Sequence, residues 1–97
     1  MADARGDTFV MQDGEGVTFT AFVLGMAGSA AIHLGMQPHP ETGKVERNLE
    51  AAKQSLDLLV MLRHKTRGNL AQDEELLFAS VVADLQLRYV EAVKARP

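Results

Sequence analysis

The chain has 97 residues, 46% hydrophobic and 24% charged, with no cysteine and a formal charge of −3. That length suits one domain, and the missing thiols exclude disulfide staples and thiolate metal centres. The acidic balance, with four phenylalanines, one tyrosine and no tryptophan, argues against nucleic acid as a partner, since such binding draws on basic excess and stacking aromatics.

Residues 1–17 are expected to form a disordered acidic tail and residues 18–97 a three-helix domain. The first sixteen residues, MADARGDTFVMQDGEG, hold four acids and three glycines and show no helical period. Phe9, Val10 and Met11 form the one short strand-like run and could serve as a docking peptide. A secretory signal opens on positive charge, so a cytoplasmic location is expected. The remaining stretch of about 80 residues would bury roughly 60% of its unfolded surface and is marginal as a monomer.

The first helix is predicted over 19–34. Thr18 is suited to cap it, because its hydroxyl can accept a free backbone N–H one turn on. Gly35 suits the stop, and Pro38 and Pro40 prevent continuation. Placed at 100° per residue, Phe19, Phe22, Val23, Met26, Ala30, His33 and Leu34 form a bulky face. Ala21, Gly25, Gly28 and Ser29 form a smooth face opposite, with Leu24, Ala27 and Ala31 on one flank. A helix apolar all round needs cover all round. Gly25 and Gly28 together cost about 2 kcal/mol against alanine unless close helix approach offsets it.

The connection MQPHPETGKVER reads as extended backbone around Pro-His-Pro and a turn at Glu-Thr-Gly-Lys. The second helix is predicted over 46–66, with Glu50, Lys53, Gln54, Asp57, His64 and Lys65 on one polar arc. Its basic end, RHKTRGN, complements the helix dipole, and Gly68 is the predicted left-handed stop. The third helix is predicted over 72–95, with Asp73, Glu74 and Glu75 in its first turn, where acids are favoured. Its apolar residues fall on two sides: Phe78, Val82, Leu85 and Tyr89 on one, Leu76, Ala83, Leu87 and Val90 on the other. The fold class expected is all-α, a three-helix antiparallel unit assembled into a homo-oligomeric helical bundle.

The runs FTAFVLGMAGSAAIHLG, PHPETGKVERNLEAAKQSLDLLVMLRHKTRGNL and DLQLRYVEAV together resemble a family catalogued as a domain of unknown function, DUF1844. The resemblance covers nearly all of the chain after the tail. It implies a short, bacterial, all-helical protein and carries over no activity. Ala71 departs from the Thr or Ser cap expected before the third helix; an unaided start would be weaker by ~1 kcal/mol, unless Asn69 serves instead.

No reactive constellation is read from the sequence. ETGKV lacks the spacing of a phosphate loop, because Pro38 stands where the first glycine belongs and Val45 follows Lys44. His33, His39 and Glu41 match no dedicated metal spacing, and His33 reads as a histidine at the core edge. Asp84 and Arg88 are spaced as an i, i+4 surface pair. The expectation is therefore no catalytic residue, no cofactor and no metal.

More apolar helical circumference is present than three helices can shelter, and exposed apolar patches of that kind mark interaction sites. The leading expectation is a non-enzymatic scaffold or adaptor that forms a homo-oligomer. A dimer is the first expectation, joined through Ala21, Leu24, Gly25, Gly28 and Ser29. A heteromeric protein partner is the rival cover. A second reading is a small-molecule binder or enzyme with a pocket between subunits, its polar lining His33, Arg88 and Tyr89. A third is peripheral membrane association through the first helix. Stable insertion is not expected, because sixteen helical residues span about 24 Å against a ~30 Å hydrocarbon core.

Overall fold

The computed structural model describes residues 9–10 and 16–95. Two short strands, β1 (Phe9–Val10) and β2 (Gly16–Val17), pair antiparallel, with Phe9 opposite Val17 and Val10 opposite Gly16. The rest of the tail expected to be disordered lies outside the described residues. Three helices follow: α1 (Phe19–His33), α2 (Leu49–Lys65) and α3 (Gln72–Lys94).

Each helix begins and ends for a local reason. Thr18 is extended, and its Oγ1 accepts the Ala21 N–H at 3.0 Å. Gly35 takes φ +79°, a left-handed conformation that costs glycine nothing. There the Gly35 N–H bonds the Ile32 carbonyl, and the Met36 N–H bonds the Ala31 carbonyl at 2.9 Å. These two bonds satisfy carbonyls the helix end would otherwise leave free. Thr18→Ala is expected to lower stability by ~1 kcal/mol, read as a lower urea midpoint at unchanged slope.

The connection folds back as a small turn. The His39 N–H bonds the Lys44 carbonyl at 2.8 Å, and the Gly43 N–H bonds the His39 carbonyl at 2.7 Å. The second helix starts at Leu49, three residues later than the sequence reading placed it. Asn48 sets that limit. Its backbone is extended, its N–H is committed to the His33 carbonyl at 2.8 Å, and its Oδ1 caps the Ala51 N–H at 3.1 Å. The extended backbone of Asn48 keeps it outside the helix, and its N–H, which a helix start leaves free, is satisfied by the end of the preceding helix.

The third helix starts at Gln72 without a side-chain cap from Ala71 or Asn69. Glu74 supplies the missing partner: its Oε1 accepts the Ala71 N–H at 3.0 Å. This is the returning half of a capping box, an acid three residues after the cap position. Glu74 is only 5% exposed.

The core lies between all three helices. Val23 and Ala30 come from α1, with Leu34 just past its end, Ala52, Leu56 and Leu59 from α2, and Phe78, Val82, Leu85 and Ala92 from α3. Phe78, Leu59 and Val23 are the largest side chains fully enclosed. Phe19 lies beside Phe78 with ring centroids 5.8 Å apart, so α1 and α3 start at the same end. Arg63 near the end of α2 pairs with Glu75 at the start of α3, Nη2 to Oε1 at 3.0 Å. Those two helices therefore run antiparallel. The core face of α1 differs from the bulky face read from the sequence. Ala31 is buried, whereas Phe22 is 50% exposed. Small alanines let α1 sit close against its neighbours, and the contact line follows them rather than the larger ring.

Candidate functional site

The outward side of α1 is exposed and carries no charged residue. Ala21, Leu24, Gly25 and Ser29 are exposed and Gly28 is half-buried. Leu24, at 48% exposure, borders this strip on one side and Phe22 on the other. The helix contains no Asp, Glu, Lys or Arg along its whole length. A Cβ added at Gly25 or Gly28 would meet no atom within 4 Å. Nothing among the described residues therefore requires glycine at either place. Met26 is half-buried and packs against the core from its edge.

The outward sides of the other helices differ in kind. On α2, Lys53 Nζ donates to Asp57 Oδ2 at 2.8 Å, both side chains well exposed. That hydrogen bond, followed by the carboxylate's charge, holds the Lys53 ammonium above its usual range. On α3, Arg88 Nε lies 3.6 Å from Asp84 Oδ1, the i, i+4 pair the sequence spacing suggests. Such exposed pairs contribute little stability. An open hollow of about 370 Å³ lies on α2 beside Gln54, Asp57, Leu58 and Met61, a feature with no signal in the sequence beyond a wide apolar arc.

The three polar residues read as pocket lining occupy three separate places in one chain. His33 is half-buried in the last turn of α1, and its carbonyl holds the Asn48 N–H. Arg88 is exposed beside Asp84. Tyr89 is half-buried in a groove of about 310 Å³ between α2 and α3, with Lys53, Leu56, Val60 and Gln86. His33 and Arg88 are not part of that groove's lining. His39 Nδ1 accepts the Glu41 N–H at 3.2 Å, so that ring nitrogen stiffens the turn. The described residues hold no group of three His, Cys, Asp or Glu side chains arranged for a metal ion. The buried Glu74 carboxylate is committed to a backbone N–H, and no helix among the described residues is long and apolar enough to cross a membrane.

Fold and surface together define a small all-helical domain, three helices among the described residues, with exposed apolar strips on its outside. The chain belongs to the family described as Domain of unknown function (DUF1844), which matches residues 16–91. The match takes in α1 and α2 entirely and α3 as far as Glu91. No curated protein and no solved structure matches the chain.

Proposed function

We propose that this domain is a non-enzymatic self-associating module, a scaffold or adaptor, in which α1 of one copy packs against α1 of another. The observation that carries this reading is the pair of helical glycines facing open space. Each glycine in a helix interior costs about 1 kcal/mol relative to alanine. The described residues recover none of that, because an alanine would fit at either position without contact. A second helix lying close over the strip would recover it, since small residues let two backbones approach and exchange dispersion contacts. Ala21, Gly25, Gly28 and Ser29 would form the floor of the contact, with Leu24 at its margin. A self-complementary strip of this kind suits a two-fold dimer.

Leu24→Lys tests the reading at an exposed position where folding does not depend on the side chain. The expected result is native helicity by circular dichroism together with a fall in sedimentation coefficient to that of a single chain. An unchanged sedimentation coefficient, with wild-type and variant both oligomeric, would move the contact off α1. A wild-type chain that stays single and binds another protein through this strip would replace self-association with a heteromeric role.

A further inference from the structure

We draw no further inference here: the strongest candidate, the open groove between α2 and α3 lined by Leu56, Val60, Tyr89 and Val90, carries nothing, because Lys53 on its rim is already paired with Asp57 and nothing in the structure shows what covers it.

Discussion

Replacing Gly25 and Gly28 together by alanine is expected to stabilise the dissociated chain by roughly 2 kcal/mol while weakening self-association at least tenfold. The two effects come from one physical change. In the single chain each new methyl enters open space, and the backbone entropy that glycine loses on entering a helix is no longer spent. In the paired state the same methyls force the two backbones apart, and a tenfold loss corresponds to about 1.4 kcal/mol of lost contact. Thermal unfolding at high dilution should therefore shift upward by roughly 10 °C for a domain of this size, while sedimentation at high concentration shows more free chain. A variant that gains stability and associates as well as wild type would show that the glycines face nothing in the assembly.

Phe78→Ala is expected to have the larger effect on folding. Phe78 is fully enclosed, tilted against Phe19 and surrounded by the core residues of all three helices. Removing a buried ring costs 3–5 kcal/mol from lost transfer energy and the cavity left behind. A domain of some 80 residues has roughly 4–12 kcal/mol in total, so the variant is expected to be largely unfolded when dilute. Circular dichroism would show lost helicity, and raising the protein concentration should restore part of it if association is linked to folding. Phe78→Leu, which keeps most of the volume, should retain the fold. Equal loss in both variants would mean that the ring's shape, rather than its burial, holds the core.

Much of this architecture is legible in the sequence because its signals are local. Thr18 and Gly35 bracket α1 through hydrogen bonds made within a few residues. The split of α3 into a core side and an outer side follows from its own periodicity, and the structure buries Phe78, Val82 and Leu85 while leaving Leu76, Leu87 and Val90 out. What is not legible depends on neighbours distant in the chain. The extended Asn48 that precedes α2 has its N–H on the His33 carbonyl at the end of α1, a partner fifteen residues away. Arg63 reads as a dipole partner, yet its guanidinium is held by Glu75 across the bundle. Phe22 looks like core by size, and only the close seating of the α1 alanines explains its exposure. Glu74 could have been found as the cap for Ala71 from its three-residue spacing, had the acid been considered apart from a Ser or Thr partner. The strip around Gly25 and Gly28 is legible as an apolar surface with two costly glycines, because a glycine's cost in a helix does not depend on knowing the fold.

The mass of the full chain in solution, measured by multi-angle light scattering across the micromolar range, bears most directly on the proposed self-association. A single chain weighs 10.6 kDa. The expected mass is at least twice that value, falling toward one chain on dilution and in Leu24→Lys. A constant 10.6 kDa at every concentration would mean that this much apolar helix surface stands in water without a second copy, and self-association would have to be abandoned.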